Sequence, residues 1–456
     1  MRDCAASVRL RRGLAGRLEL VSRERPGHTA PMTAPASRLG QFSWALYDWA
    51  NSAFSAVIIT FVYATYFTKG IAGDEVAGTA EWGWAMSASG IAIAIVSPVL
   101  GAIADAGGRR KPWLFAWTAI AVVGCGLLWY GRPSPEVALM VLTIAALTNL
   151  AFEIAGVFYN AMLPEIVSRA YVGRLSGWAW GLGYAGGLAC LVLVLYGFVQ
   201  AEPAPFGLDQ SQAEDVRISG PLVGSWLAVF SLPLFLFTPD RQSAGLPAAE
   251  AVRRGLGQLR RTFGNLRHYR AIGRFLIARM IYTDGLNTLF AFGGIYAAGT
   301  FNMSTAEVIK FGILLNITAG LGALGFAWVD DWLGAKRTIL IGLVGLLACG
   351  LAAVLVSVPL HFWIAGALLG IFVGPTQAAS RSLMARLAPA EVRTEMFGLY
   401  ALTGKITAYM GPFLLGTVTW WTGSQRLGVA TVLGFFVVGG LLLWPLQEPQ
   451  APAAEA

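Results

Sequence analysis

The chain has 456 residues, of which 56% are hydrophobic and 13% charged, and its mean hydropathy is +0.61. Soluble globular proteins carry about 45–50% apolar and about 25% charged residues, so this composition excludes a soluble protein. Twelve membrane crossings at about 20 apolar residues each would use roughly 240 residues, and nothing between them is long enough to bury the core of a separate catalytic domain. Transport is the leading class left.

In chain order, residues 1–40 form a basic tail with no apolar stretch to serve as a signal-peptide core. They read as a tail or a weak surface helix, with a start at Met32 as a second reading. Apolar segments are expected near 42–68, 83–104, 113–130, 137–163, 176–200, 221–237, 275–300, 306–329, 338–357, 362–387, 396–421 and 427–445. The expected domains are therefore an N-terminal six-helix bundle over 41–237, a basic linker over 238–274, a C-terminal six-helix bundle over 275–445, and tails at 1–40 and 446–456. The net charge of +8 would suit nucleic acid or a membrane, and its distribution selects the membrane. Arg109, Arg110, Lys111, Arg169, Arg174, Lys336, Arg337, Arg386 and Arg393 fall in alternate loops, while Asp74, Glu75, Glu81, Glu202, Asp209, Glu214 and Asp215 fall in the others. The positive-inside rule then places both termini in the cytoplasm. In the linker, Val252, Leu256, Leu259, Phe263 and Leu266 recur at helical spacing among arginines, a pattern expected to lie along the cytoplasmic membrane surface.

The two halves repeat. Asp48-Trp-Ala-Asn51-Ser52-Ala-Phe54 in the first segment matches Asp284-Gly-Leu-Asn287-Thr288-Leu-Phe290 in the seventh. Gly101-Ala-Ile-Ala-Asp105-Ala-Gly-Gly108-Arg109-Arg110 after the second matches Asp331-Trp-Leu-Gly334-Ala-Lys336 after the eighth. Because six helices separate the members of each pair, equivalent helices enter the membrane in the same direction, which makes this a parallel repeat. The fold expected is an all-α polytopic membrane protein with twelve transmembrane helices in two parallel-repeat six-helix bundles.

The loop motif at 101–110 resembles that of the major facilitator superfamily. Within it, Trp44 to Phe54, Phe158-Tyr159-Asn160-Ala-Met-Leu163-Pro164, Phe292-Gly293-Gly294-Ile-Tyr296, Gln377-Ala-Ala-Ser380-Arg381-Ser382 and Gly398-Leu-Tyr400-Ala-Leu-Thr-Gly404-Lys405 resemble the vacuole effluxer family. The resemblance implies the major facilitator fold, and amino-acid efflux as in fungal relatives. It also implies a charged conformational latch from Gly101, Asp105, Gly108, Arg109 and Arg110, with Asp331 and Lys336 as its second copy. That copy departs from the motif at Ala327 and Ala335, which weakens the expectation of a latch there.

Ionisable residues inside apolar segments are costly unless they face the bundle interior. The clearest are Asp48, Glu153, Arg279, Asp284, Arg381 and Lys405. Asp48, Asn51 and Ser52 share one helical face, as do Asp284, Asn287 and Thr288, and Glu153 shares one with Asn149, Gly156 and Asn160. Polar contacts between neighbouring helices are the simpler alternative for these groups. Arg381 is placed near the inner surface, where it and Arg279 would snorkel or pair at a gate, and Lys405 is expected to bind substrate or to pair with Asp48 or Asp284 in the empty carrier. The substrate and coupling set is then Asp48, Asn51, Ser52, Glu153, Asn160, Asp284, Asn287, Gln377, Arg381 and Lys405.

Acids and bases together favour a secondary carrier for a small zwitterion, coupled to protons. Export of amphipathic drugs, with Trp178, Trp180 and Tyr184 as lining, and a channel or sensor scaffold stay open. No enzyme is expected, since no HExxH, GxSxG or nucleotide-binding loop occurs and His28, His268 and His361 are scattered. Cys4, Cys125, Cys190 and Cys349 have neither metal nor redox spacing. No metal, cofactor or nucleic acid is expected, and the partners are a small-molecule substrate, protons and the lipid bilayer around a monomer. Arginine far exceeds lysine and Ala and Gly dominate, which points to a high-GC bacterial genome and hence to the inner (plasma) membrane.

Overall fold

The structure, a computed structural model, describes residues 35–264 and 269–448. Among them there is no strand. The first six membrane helices are α1 (Arg38–Ile71), α2 (Glu75–Gly107), α3 (Lys111–Leu127), α4 (Ala138–Ile166), α5 (Val172–Val194) and α6 (Ser219–Phe237). A separate helix, α7 (Ala248–Gly264), precedes α8 (Arg270–Phe301), α9 (Thr305–Leu333), α10 (Ala335–Leu355), α11 (Pro359–Leu387), α12 (Arg393–Thr403), α13 (Met410–Thr422) and α14 (Gln425–Leu443). The N-termini are satisfied locally: the Ser37 hydroxyl accepts from the Gly40 amide at 3.1 Å and the Asp74 carboxylate from the Ala77 amide at 2.7 Å. Gly108 and Gly334 close α2 and α9 with φ of +89° and +90°, which only glycine adopts without strain.

The surface is that of a membrane protein, with side chains such as Leu139 (77%), Trp332 (82%) and Trp420 (80%) left exposed. Ten of the helices are long and apolar enough to cross a membrane. The two expected segments outside that set are the seventh and the eleventh, for identifiable reasons. In α8 the residues Arg270, Arg274, Arg279 and Asp284 lower the hydropathy. The eleventh segment, expected as one helix, is broken into α12 of 11 residues and α13 of 13 residues, with turns over 404–409 between them.

Glycines set how closely the helices approach. Gly183 and Gly187 of α5 lie against Asp48 and Ser52 of α1, whereas Gly177 and Gly181 face Ala323, Leu324 and Ala327 of α9. Helix α5 thus holds one small-residue face for its own bundle and one for the opposite bundle. In α11, Gly366 packs on Phe311, Gly370 on Thr318 and Gly374 on Ala319, all of α9. The two sets, α1–α6 and α8–α14, meet chiefly through α5 against α9 and α11, and α12 against α2 and α4. Helix α7 packs on α2. Of the linker pattern, the Phe263 side chain and Leu266 lie outside the described residues.

Candidate functional site

Two ion pairs cross between the sets inside the membrane. The Arg381 guanidinium of α11 meets Asp48 of α1 at 2.7 Å, with only 3% and 13% of the two side chains exposed. Arg381 also donates to the Ser176 hydroxyl and carbonyl at 2.9 and 2.7 Å and to Asn160 at 3.4 Å. Aromatic rings complete the enclosure: Trp44, Tyr159 and Trp180 have centroids 5.1, 5.7 and 5.7 Å from the guanidinium carbon, and Trp44 stacks on Tyr159 at 4.4 Å. Planar rings and five fixed donors suit an arginine here better than a lysine. The second pair joins Lys405, in the break between α12 and α13, to Glu153 of α4 at 2.6 Å. It is open where the first is sealed, with 34% and 25% of the side chains exposed. Nearby, the Tyr184 hydroxyl donates to Gln377 across the seam at 2.8 Å, and Asn149 donates to Ser89 at 3.0 Å.

The sequence expectations for these charges need correction at three points. Arg381 neither snorkels nor sits at the surface: it is buried on Asp48, because Asn160 and Ser176 supply acceptors there. Lys405 pairs with neither Asp48 nor Asp284, since Asp48 is taken by Arg381 and the chain break carries Lys405 across to Glu153. Arg279 also turns inward, donating to the Tyr400 carbonyl at 2.7 Å and the Thr403 hydroxyl at 2.8 Å over the Tyr400 ring. Asp284 accepts from the Gly411 amide at 3.0 Å at the start of α13, and Thr288 donates to its own helix at the Asp284 carbonyl. The shared face of the seventh segment is thus split: Asp284 and Thr288 are buried and Asn287 is exposed. Ser52 packs on glycines of α5, and Asn51 beside it is half-buried.

A second layer of contacts closes one face, called the basic face here, where α2 ends and α3 begins. Asp105 of α2 accepts from the Thr394 and Glu395 amides at 2.7 and 3.0 Å, the first turn of α12. Asp331 of α9 accepts from the Gly173 and Arg174 amides at 2.8 and 3.1 Å, the first turn of α5. Each carboxylate therefore holds the positive end of a helix in the opposite set, and the contacts at Asp331 are made with Ala327 and Ala335 in place of the motif residues. Gly101 is required by the first: a Cβ there would come within 2.6 Å of the Thr394 carbonyl oxygen.

The cations of the latch differ from those expected. Arg110 is fully buried between Asp105 at 3.2 Å and Glu165 at 2.5 Å. Burial opposes its charge, but Glu165 and Asp105 outweigh that and hold the guanidinium above its usual range. Arg109, by contrast, is exposed, and neither it nor the Lys336 side chain has an ion pair among the described residues. Arg174 and Arg386 serve Asp331 at 3.0 and 3.3 Å, and Arg386 also reaches Asp330 and Glu448 at 3.0 Å each. Ser382 donates to Asp330.

Several of these residues were not foreseen. Arg241 and Arg393 join Glu165 at 3.6 and 3.0 Å. Asp240 accepts from the Arg110 and Lys111 amides and Glu448 from the Ala335 and Lys336 amides, so that each caps the start of the third membrane helix of its half. A signal existed: both acids stand just past the last apolar segment of their half and next to a proline, Pro239 and Pro449. Every hydrogen bond and ion pair between the two sets, among the described residues, lies between the basic face and the level of Glu153, Tyr184 and Gln377. Beyond that level no bond joins the sets among the described residues.

A family model described as vacuole effluxer Atg22 like matches residues 71–455. The chain belongs to this family. It is 27% identical over 404 residues to an uncharacterised MFS-type transporter, YxiO, of Bacillus subtilis, covering 88% of this chain and 93% of that one. Autophagy-related protein 22-1 of Penicillium rubens is 26% identical over 271 residues, 54% of this chain but only 44% of the fungal protein. Among solved structures, the transporter FucP in its outward conformation matches with a TM-score of 0.67 at 15% identity, covering 90% and 98% of the two chains. The proton:xylose symporter XylE matches at 0.68 and 13%, covering 90% and 96%. This effluxer-family chain thus has the major facilitator fold, and it is a multi-pass membrane transporter of that type rather than an enzyme.

Proposed function

We propose that this effluxer-family chain is a secondary active carrier that binds a small zwitterion between Glu153 and Lys405 and moves it by alternating access, with an amino acid as substrate, efflux as direction and protons as coupling ion. The carrying observation is the half-exposed Lys405 to Glu153 pair, which bridges the two sets at 2.6 Å. A substrate with an ammonium and a carboxylate group replaces both members of that pair at once, whereas a neutral sugar replaces neither. Trp180 lies over Arg381 and Tyr184 is bonded to Gln377, so these aromatics serve the seam more than an apolar substrate. Helices of 41–237 and 275–445 then rock as two bodies joined by 238–274, and contacts that run from the basic face to the level of Glu153 and Gln377 suit a state closed on that side. In this reading the basic face is cytoplasmic, the membrane is a bacterial inner membrane, the protein acts as a monomer without nucleic acid, and the state described is open outward.

In proteoliposomes loaded with labelled amino acids, Lys405→Ala and Glu153→Gln are expected to weaken substrate affinity about 10- to 100-fold each, corresponding to loss of a charge-assisted bond of about 1.5–3 kcal/mol. A pH gradient should drive flux in the parent protein. Unchanged affinity in both variants, or no flux of any amino acid, would overturn the assignment. For orientation, Arg254→Cys should react with a membrane-impermeant maleimide only after cells are opened and Glu75→Cys in intact cells, following the charge asymmetry. The reverse labelling would invert the topology.

A further inference from the structure

We infer that the basic face carries a docking surface for anionic phospholipid headgroups, built from α7 and the start of α8. Helix α7 divides its circumference by chemistry. Ala251, Gly255 and Thr262 are buried on one side, where a Cβ on Gly255 would come within 2.7 Å of the Ile103 Cα of α2, so the helix is fixed against the end of a membrane helix. Beside that buried side runs an apolar stripe, Val252 and Leu256 at i, i+4 spacing, 40% and 46% exposed among the described residues. On the other flank of the stripe stand Arg253 and Arg260, both exposed, with Arg254 and Arg261 further round.

The charge on this surface is not cancelled among the described residues. Glu250 is the acid of α7 and is shared by Arg253 and Arg254 at 2.7 Å each. Arg260 and Arg261 have no carboxylate within ion-pair distance among the described residues, and Arg261 reaches only the Gly257 carbonyl at 3.3 Å. The start of α8 repeats the arrangement independently. Arg270 and Arg274 are exposed and without an ion pair among the described residues, and they continue along the same face to Ile277, which is 52% exposed. Ile277 is on the exposed side of that helix, and Arg274 stands one turn earlier, about 4.5 Å along the axis, a spacing that suits an acyl contact at Ile277 and a headgroup contact at Arg274.

An apolar stripe bordered by arginines that outnumber the acids, on a helix held at the end of a membrane span, matches an interface of acyl chain below and anionic phosphate above. Zwitterionic headgroups satisfy the stripe but not the net charge. Each arginine near an anionic surface contributes roughly a fivefold gain in the docked population, which is about 1 kcal/mol. Because α7 rests on α2, whose end carries Asp105, docking also supports the latch at that face.

The test places an environment-sensitive fluorophore at Leu256→Cys in full-length protein carrying Cys4→Ser and Cys349→Ser, Cys125 and Cys190 being buried. The protein is put in nanodiscs of phosphatidylcholine alone or with one third phosphatidylglycerol, each doped with headgroup-proximal doxyl lipid. Quenching should be strong with phosphatidylglycerol, weaker without it, and reduced by high salt, since exposed charges are screened. Arg260→Gln with Arg261→Gln should lower the docked-to-undocked ratio roughly 30-fold and abolish the lipid dependence. Equal quenching in both lipids, or dependence that survives the double substitution, would show that the arginines do not read headgroup charge. No quenching in either lipid would show that α7 faces water or another protein instead.

Discussion

Asp48→Asn is expected to destabilise the protein by about 3–5 kcal/mol, because it leaves the Arg381 guanidinium buried without a countercharge. Arg381 is 3% exposed among Trp44, Tyr159 and Trp180, and its remaining partners, Ser176 and Asn160, are neutral. Water cannot reach the charge, so the loss is not screened away as it would be at a surface. Arg381→Met alone should cost a similar amount by stranding Asp48. The double variant should cost much less than the sum, since two neutral side chains leave no isolated charge, and that non-additivity is the signature of a direct pair. Thermal unfolding in detergent across the four-protein cycle measures it. Additive losses would show that the two groups act separately. Asp284→Asn provides the contrast: Asp284 has no ion pair among the described residues and accepts only the Gly411 amide, so its amide replacement should be tolerated far better.

The second large effect is expected at the basic face. Asp105→Asn and Asp331→Asn each remove a carboxylate that accepts two backbone amides from a helix of the opposite set. With charge-assisted bonds at about 1.5–3 kcal/mol, loss of either latch should shift the population open at that face by about 10- to 100-fold, and loss of both by more. Pulsed electron resonance distances between spin labels at Ala106→Cys and Ala390→Cys would report the shift as a longer component. Arg109→Gln and Lys336→Gln should change nothing, since neither side chain has an ion pair at the latch. An opening caused by either of those two, with none from the aspartates, would reassign the latch to surface charge.

These expectations separate residues that look equivalent in the sequence. Asp48 and Asp284 occupy matching places in the repeat, yet one is half of an arginine pair and the other holds the start of a half-helix. The aspartates at 105 and 331 do keep their equivalence, and they do so across the seam: Asp105 reaches the start of the eleventh segment and Asp331 the start of the fifth, which are matching helices of the two halves. Asn160 and Arg381 come together from the fourth and tenth segments, and Glu153 and Lys405 from the fourth and eleventh. Parallel repetition within a chain fixes which helices correspond, but it does not fix which of them touch.

Hydropathy by itself determined the twelve segments, because the cost of an unsatisfied backbone or a charge in lipid leaves long apolar helices as the available solution for such a composition. The same cost made Asp48, Glu153, Asp284, Arg381 and Lys405 conspicuous, and the D-x-x-N-[ST] and glycine-flanked aspartate repeats marked the places where two similar halves meet. The partners of those charges were decided only by the tertiary structure. A side chain in a bundle interior chooses among neighbours set by helix rotation, close glycine contacts and the turns over 404–409, none of which has a local period in the sequence. Glu165, Arg241, Arg393 and Glu448 lie outside the apolar segments, where charge is unremarkable, and they acquire meaning only when folding brings helix ends of both sets to one face.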